Sequence, residues 1–230
     1  MTFWDHLDAL RSHLWRMLLA VLLAAVACFC FKDLLFAAVL RPKPADLTLI
    51  NVDIAQQFLT HMRVSILVGL LIAAPYIIYQ LFAFVAPGLY SAERRVVVRA
   101  LAAACLLFYA GVALNYFVIF PFAVRFLGSY QVSAEVQNLI SLSSYVDLLL
   151  LLSLMMGLLF ELPVLCAMLG RMGLLKAEAM VRYRRHAVVA ILILGAVITP
   201  TGDPVTLLLV AAPIYLLWEL SILIVKRIAK

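Results

Sequence analysis

The sequence predicts an all-α integral membrane protein with six transmembrane helices and both termini on one side of the membrane. Three observations lead to this fold class. Of the 230 residues, 67% are hydrophobic and only 13% are charged; the apolar residues form long stretches; and basic residues cluster at alternate ends of these stretches. A soluble domain has about 45–50% apolar and about 25% charged residues. The composition therefore excludes a cytosolic enzyme, a disordered chain and a nucleic-acid-binding module.

The first 13 residues predict an amphipathic helix that lies in the membrane interface. Thr2 and Asp5 have the spacing of a capping box. Apolar residues recur on one side at helical spacing, and the other side carries Asp5, Asp8 and Arg16. Two interpretations fit this pattern: a membrane-surface anchor with a solvated polar face, and a carboxylate surface that faces a cationic partner.

Four stretches are long enough to be transmembrane helices. A helix rises about 1.5 Å per residue, so about 20 apolar residues are needed to cross roughly 30 Å of hydrocarbon. These four spans are residues 14–31, 64–84, 100–120 and 148–169.

The region after residue 186 predicts a hairpin of two further spans, residues 187–198 and 205–225. Between them, Pro200 and Pro204 flank Gly202 and Asp203, which predicts a turn on the outer side of the membrane. Basic residues precede and follow this region, so both of its ends are expected on the same side. The fifth span has 12 apolar residues and reaches only about 18 Å, so it is predicted to be short.

The distribution of basic residues predicts the orientation. Six spans place 13 of the 18 Lys and Arg residues on the side of the two termini. By the positive-inside rule, both termini are then cytoplasmic, and the loops near residues 32–63 and 121–147 are outside.

Glu161 is the most informative single residue, because it lies inside the fourth span. A charged side chain there costs about 2.5–3.5 kcal/mol on insertion scales, so an intramembrane acid is a functional-site hypothesis by default. Ser153 and Gly157 precede it by two turns and one turn and form a strip of small and polar residues. This strip predicts a docking groove for another helix. Pro163 removes a helix hydrogen bond and is expected to bend the helix beside the acid.

The remaining polar residues of the spans are interpreted as structural. Gly111, Asn115 and Gln80 predict internal packing, and His13 predicts a histidine at the edge of a membrane helix. Glu219 is expected to snorkel or to pair with Lys226 or Arg227. No nucleophile, P-loop or dinucleotide motif is present, and the Cys and His residues have no metal-ligand spacing. The sequence therefore predicts neither catalysis nor a metal or other cofactor.

Several ordered motifs resemble the TatC family, the receptor subunits of twin-arginine protein translocases. Residues 3–11, Phe-Trp-Asp-His-Leu-Asp-Ala-Leu-Arg, resemble the family's His-Leu-x-Glu-Leu-Arg opening, and residues 84–95 resemble its first cytoplasmic loop. Residues 160–164, Phe-Glu-Leu-Pro-Val, resemble its fourth-helix motif. Further matches are 198–200 with Asp203, and 212–215 with Glu219. The resemblance covers nearly the whole chain.

This resemblance implies a cupped bundle of six helices in which the last two are short. It implies a multi-copy receptor that binds twin-arginine signal peptides of folded proteins. The expected partners are the single-span subunits TatA and TatB and the lipid bilayer, without nucleic acid, and the driving force is the proton gradient. The expected location is the plasma (inner) membrane of a prokaryote, because no transit-like extension precedes the first motif.

The resemblance also suggests site residues. Two adjacent guanidinium groups require carboxylates that accept bidentate hydrogen bonds. Glu93 matches the family's loop carboxylate, although a local ion pair with Arg94 or Arg95 is an alternative. The family's other acid is replaced by Ala9, and we hypothesise that Asp5 or Asp8 supplies this charge. By the same resemblance, Arg11, Arg94 and Arg95 belong to the signal-peptide site.

For Glu161, the resemblance implies contact with a polar site on a partner helix; a proton relay and a neutral hydrogen-bonding group both stay open. The alternative from another class is a small secondary transporter with Glu161 as the coupling carboxylate. The sequence shows no repeat of two three-helix halves, which such transporters often have.

Overall fold

The computed structural model describes residues 3–45, 47–85, 94–131, 133, 138–199 and 203–228, and within these it leaves aside the side chains of residues 3–6, 85 and 94–97. The described chain folds into ten α-helices, a π-helical segment and two short paired strands. In order, these are α1 (Phe3–Cys30), α2 (Lys32–Leu40), β1 (Leu49–Ile50), α3 (Gln56–Val85), α4 (Arg94–Leu114), the π segment (Asn115–Ile119), α5 (Phe120–Ser129), β2 (Ile140–Ser141), α6 (Leu142–Leu159), α7 (Leu162–Arg171), α8 (Ala177–Arg182), α9 (Arg184–Ile198) and α10 (Pro204–Ile228).

Five helical segments of the described chain are long and apolar enough to cross a membrane. They are Leu7–Cys30, Gln56–Phe84, Val98–Ser129, Leu142–Arg171 and Pro204–Ile228. The third segment joins α4, the π segment and α5, and the fourth joins α6 and α7. The architecture is therefore that of an all-α membrane protein, which confirms the predicted class.

The two C-terminal helices differ in length. The predicted fifth span lies in α9, whose 15 residues make about 22 Å of helix, less than the roughly 30 Å of a hydrocarbon core. The expectation that the sixth helix is also short is wrong, because α10 has 25 residues, or about 38 Å. Pro213 lies inside α10 without ending it, as prolines in membrane helices often do.

The start of the chain corrects a second expectation. Residues 3–13 do not form a separate interfacial helix, since α1 runs without a break from Phe3 to Cys30. No Pro or Gly lies within these 28 residues, so nothing interrupts the helix between its amphipathic start and its apolar part. Thr2, the first residue of the predicted capping box, lies outside the described residues.

One compact unit is built on α1 and α3 and comprises the described residues within Met1–Arg41, Ile50–Cys105 and Ser141–Val146. These two helices are antiparallel. His13, near the start of α1, lies 2.5 Å from Gln80, near the end of α3, measured from Nδ1 to Oε1. Toward the other end, the ring of Phe29 stacks on His61 with centroids 4.2 Å apart.

A glycine permits the close contact between α1 and α3. A Cβ atom on Gly69 would lie 2.6 Å from the backbone nitrogen of Ala25, which is closer than atoms can pack. Small residues let helix backbones approach in this way, and such packing replaces the hydrophobic driving force that lipid does not supply. The position of α1 on α3 therefore depends on Gly69.

The second compact unit comprises the described residues within Pro42–Leu49, Leu106–Ile140 and Asp147–Lys230. Its π segment precedes Pro121, which cannot donate a helix hydrogen bond and whose ring displaces the carbonyl four residues earlier. The widened turn absorbs this, and Phe120 N–H donates to the Asn115 carbonyl five residues back.

In the same unit, α9 and α10 form a helical hairpin. The side-chain Oδ1 of Asp203 accepts a hydrogen bond of 2.6 Å from the backbone N–H of Thr206, so Asp203 caps α10, and Pro204 occupies its first position. A Cβ on Gly195 would lie 2.8 Å from Leu207 Cδ1, which shows how closely the helices approach. Pro200 lies outside the described residues.

We expect Gly69→Ala to lower thermal stability in detergent, because the new methyl group meets backbone rather than a movable side chain. Overpacking of this kind costs about 1–3 kcal/mol, which exceeds the gain of about 1 kcal/mol in helix propensity. Gly128→Ala is the matched control, since among the described residues its Cβ would meet only the ends of the Leu47 and Ile140 side chains, at 3.3 and 3.7 Å. Equal melting temperatures for the two variants would contradict this explanation.

Candidate functional site

A buried polar pair links two membrane-spanning segments of the second unit. Asn115 is fully buried, and its Nδ2 donates a hydrogen bond of 2.8 Å to Ser153 Oγ of α6. The Oδ1 atom of Asn115 is also buried and has no hydrogen-bond partner among the described residues. Internal packing was predicted for Asn115, and this pair confirms it.

The strip formed by Ser153 and Gly157 is covered by the chain itself. A Cβ on Gly157 would lie 2.8 Å from the ring of Phe108 in α4, and a Cβ on Gly111 would lie 2.5 Å from the Met156 carbonyl oxygen. A helix does approach these small residues closely, but it is the chain's own α4. The predicted docking groove is therefore corrected at Ser153 and Gly157, which are both buried.

Glu161 lies where the fourth membrane-spanning segment breaks. The helix α6 ends at Leu159 and α7 begins at Leu162, with Pro163 in the first turn of α7. The Glu161 carbonyl oxygen accepts hydrogen bonds of 3.0 Å from the N–H groups of Val164 and Leu165. The predicted distortion beside the acid is thus present, as a break rather than a bend, because the proline cannot donate the hydrogen bond that would continue the helix.

The Glu161 side chain is only partly buried. Its Oε1 atom is inaccessible, however, and makes no hydrogen bond within the described part of the chain. The neighbouring Phe160 lines an apolar groove of about 760 Å³, whose other walls come from the end of α4, the π segment, the start of α5 and α10. Glu161 directly follows Phe160 in the chain but does not itself line the groove; an intramembrane carboxyl group is able to bond a polar group on a neighbouring helix.

The residues assigned to the signal-peptide site are only partly visible. The side chains of Asp8 and Arg11 are exposed on α1. Asp5 is in α1 by its backbone, and Arg94 and Arg95 begin α4, but the side chains of these three lie outside the described part of the chain. Glu93 lies outside the described residues altogether.

The antiparallel packing of α1 on α3 brings two of the relevant segments to one end of the first unit. His13 contacts the ring of Phe84 edge-on, with centroids 6.0 Å apart, in the last turn of α3. Asp8 precedes His13 by five residues, or about 8 Å along the helix axis. The N-terminal acids therefore lie at the end of the unit where the chain enters residues 86–93.

Sequence reasoning missed the contact between His13 and Gln80. The two residues are 67 positions apart, so no periodicity connects them. The available signal was weak: each residue is a polar group near the end of its span that is predicted to lie on the cytoplasmic side. Gln80 is buried, and its bond to His13 gives it a partner in the apolar interior.

Glu219 has a different partner from the two that were expected. Its Oε2 atom lies 2.6 Å from Arg184 Nη2 at the start of α9, and its Oε1 accepts a hydrogen bond of 3.1 Å from the Tyr215 hydroxyl. The pair joins the two helices at the end opposite the turn. The expectation of a bond to Lys226 or Arg227 is corrected, because the hairpin brings Arg184 beside Glu219.

Comparison with known proteins gives a consistent result. Residues 5–213 match the family model described as Sec-independent protein translocase protein TatC. The chain is 33% identical to TatC of Carboxydothermus hydrogenoformans, covering 99% of this chain and 94% of that protein. It is 37% identical to chloroplastic TATC of Arabidopsis thaliana, covering 93% of this chain and 63% of that protein. A crystal structure of TatC, described as the twin-arginine translocase receptor, superposes with a TM-score of 0.84 at 30% identity, covering 98% of this chain and all of the other.

The apolar helices and the intramembrane polar groups define a polytopic membrane protein with polar sites inside its spans. The chain belongs to the TatC family of Sec-independent protein translocase proteins. It is a component of the Tat pathway and of a complex with other subunits, a transport protein rather than an enzyme. The alternative of a small secondary transporter gains no support from these matches.

We expect Ser153→Ala to destabilise the protein, because it leaves the buried Nδ2 of Asn115 without a partner, at a cost of about 1 kcal/mol. Asn115→Leu combined with Ser153→Ala should cost less than the sum of the single changes, with a coupling of about 0.6 kcal/mol. Denaturant unfolding in detergent of the four proteins of this cycle measures the coupling. Ser65→Ala is the control, since within the described part of the chain Ser65 Oγ donates only to the His61 carbonyl of its own helix. Additive costs would contradict the assigned bond.

Proposed function

We propose that this chain binds twin-arginine signal peptides of folded proteins and, with TatA and TatB, supports their export driven by the proton gradient. We further propose six spans, with both termini in the cytoplasm, in the inner membrane of a prokaryote. The positive-inside distribution supports this orientation, since 13 of the 18 Lys and Arg residues fall on the side of the termini. The match to a structure described as the twin-arginine translocase receptor supports the receptor role.

The observation that carries the proposal is the antiparallel contact of α1 with α3. It holds the start of α1, with the exposed Asp8, at the end of the unit where the chain enters the loop that contains Glu93. Two carboxylates from different segments can meet two neighbouring guanidinium groups, each with bidentate geometry. A single carboxylate on one segment cannot do this.

In this site Glu93 corresponds to the family's loop carboxylate. Ala9 stands where the family has its other acid, and Asp5 or Asp8 supplies that charge instead. The two aspartates are three residues apart in α1, so they project from neighbouring positions on its surface. Arg11, Arg94 and Arg95 belong to the same site by family resemblance. These arginines can pair with nearby carboxylates, which leaves fewer carboxylates to bind the peptide. The aspartates of α1 are therefore more important for peptide binding.

We expect the purified protein in nanodiscs to bind a synthetic Arg-Arg signal peptide at least about tenfold more tightly than its Lys-Lys version, because lysine cannot form the bidentate pair. Glu93→Gln should remove this preference. Asp5→Asn or Asp8→Asn should weaken it, whereas Glu178→Gln, which neutralises an exposed acid of α8, should not. Fluorescence titration measures each affinity.

Two results would count against this assignment. Equal affinity for the Arg-Arg and Lys-Lys peptides would contradict recognition by bidentate carboxylates. Loss of binding in Glu93→Gln, with wild-type binding in both aspartate variants, would rule out their compensation for Ala9.

For Glu161, we propose contact with a polar side chain on the transmembrane helix of a TatA or TatB subunit. Two observations support it: the unpartnered, inaccessible Oε1 atom, and the apolar groove beside Phe160. Ser153 and Gly157 contribute indirectly, since they fix α6 on α4, and Pro163 creates the break that frees the acid from a regular helix. Asp203 caps α10 after the hairpin turn.

We expect Glu161→Ala to reduce crosslinking between the partner helix and a photoreactive amino acid at Leu208, an exposed residue of the groove, by about tenfold. The lost hydrogen bond to a charged group is worth about 1.5–3 kcal/mol. Affinity for the Arg-Arg peptide should stay near the wild-type value, and Glu178→Ala is the matched acid control. Unchanged crosslinks in Glu161→Ala would contradict the proposed contact.

A further inference from the structure

Exposed basic side chains gather at one end of the second unit. We call this group the basic surface; its members, all exposed, are Arg171, Lys176, Arg182, Arg185, Lys226 and Arg227. They come from three separate parts of the chain: the end of α7, the region of α8 and the start of α9, and the end of α10. Their grouping therefore depends on the fold and is not a simple run in the sequence.

An apolar cluster brings these three parts together. Cys166 of α7, Ala177 and Met180 of α8, and Ile222 and Val225 of α10 form one buried core. A Cβ on Gly170, the residue before Arg171, would lie 3.2 Å from Val225 Cγ1, the residue before Lys226. The basic residues next to these core residues in the sequence are therefore held around the place where α7, α8 and α10 pack together.

Few acids neutralise the basic surface. Glu219 already pairs with Arg184 at 2.6 Å, and Arg184 is not a member of the surface. In the sequence, Glu178 is the sole acid within residues 170–186, and residues 222–228 contain none. The surface therefore carries a strong net positive charge.

Apolar side chains are exposed between the cations. Leu174 is 70% exposed, Tyr183 is 55% exposed and Val181 is 46% exposed, and all three lie within the segment that joins α7 to α9. Exposed apolar groups next to Lys and Arg are typical of segments that lie in the membrane interface, where the apolar groups enter the acyl boundary and the cations meet phosphates. A tyrosine is also favoured at this depth.

We propose that the basic surface is a binding site for the headgroups of anionic phospholipids. The cations match the phosphate charge, and Leu174, Val181 and Tyr183 supply the contact with the acyl chains that a soluble phosphate would not use. A cationic signal peptide does not fit, because the surface has the same sign of charge. The basic surface shares no residue with the peptide site or with the groove discussed above and does not depend on either.

The test compares two lipids on the detergent-purified full chain. Fluorescent phosphatidylglycerol should bind more tightly than fluorescent phosphatidylcholine, and this preference should fall as salt rises. The combined variant Lys176→Gln, Arg182→Gln and Lys226→Gln should lose roughly 100-fold in affinity for phosphatidylglycerol, from about 1 kcal/mol for each of the three cations. Its affinity for phosphatidylcholine and its melting temperature in detergent should stay unchanged.

A matched control removes three other exposed cations, Lys32, Arg41 and Arg125, by the same change to glutamine. We expect this variant to keep phosphatidylglycerol affinity within about twofold of the wild type. Equal affinity of the wild type for the two lipids would overturn the proposal, and so would an equal loss in the control variant. Displacement of the lipid by millimolar inorganic phosphate would also overturn it, because it would reveal a phosphate site in place of a lipid site.

Discussion

Helices in a lipid environment pack mainly through the closeness of their contacts, because the hydrocarbon around them is as apolar as their own side chains. Three glycines provide that closeness in this protein. Gly69 rests on the backbone of Ala25, and Gly111 on the Met156 carbonyl. Gly157 lies against the ring of Phe108. Each contact excludes even one additional carbon atom, so the relative positions of these helices are fixed by residues that have no side chain.

The polar residues are positioned by these contacts. The close approach of α1 to α3 places His13 beside Gln80. It also places the acids at the start of α1 near the C-terminal end of α3. The approach of α4 to α6 sets Asn115 beside Ser153, where each provides the other with a partner that lipid cannot supply. Glu161 follows about two turns later, directly after Phe160, whose ring lies against Gly111 of α4, and its Oε1 lacks a partner among the described residues.

Local features of the fold were predictable from the sequence, whereas partners between distant segments were not. The apolar stretches indicated the membrane-spanning segments. Pro163 indicated a distortion beside Glu161, although a bend was expected there, and Pro204 after Asp203 indicated that a new helix begins, because each of these effects acts within a few residues. The small residues of α6 indicated a close helix contact but not which helix makes it. Glu219 likewise signalled a partner, yet only the hairpin identifies Arg184, which lies 35 positions away.

The contrast between Asn115 and Glu161 separates a structural polar group from one that we propose is functional. Asn115 lies in a widened helical turn, and its amide donates a hydrogen bond to Ser153. This bond holds two helical segments of the same chain together. Glu161 lies at a break where Pro163 prevents a regular helix, and its inaccessible Oε1 has no hydrogen-bond partner among the described residues. An ionisable group inside a span is costly unless it is paired, and local rules are broken mainly where function requires it. The position of the break, rather than the acid alone, is therefore the basis on which we propose that Glu161 bonds a polar group of a second chain.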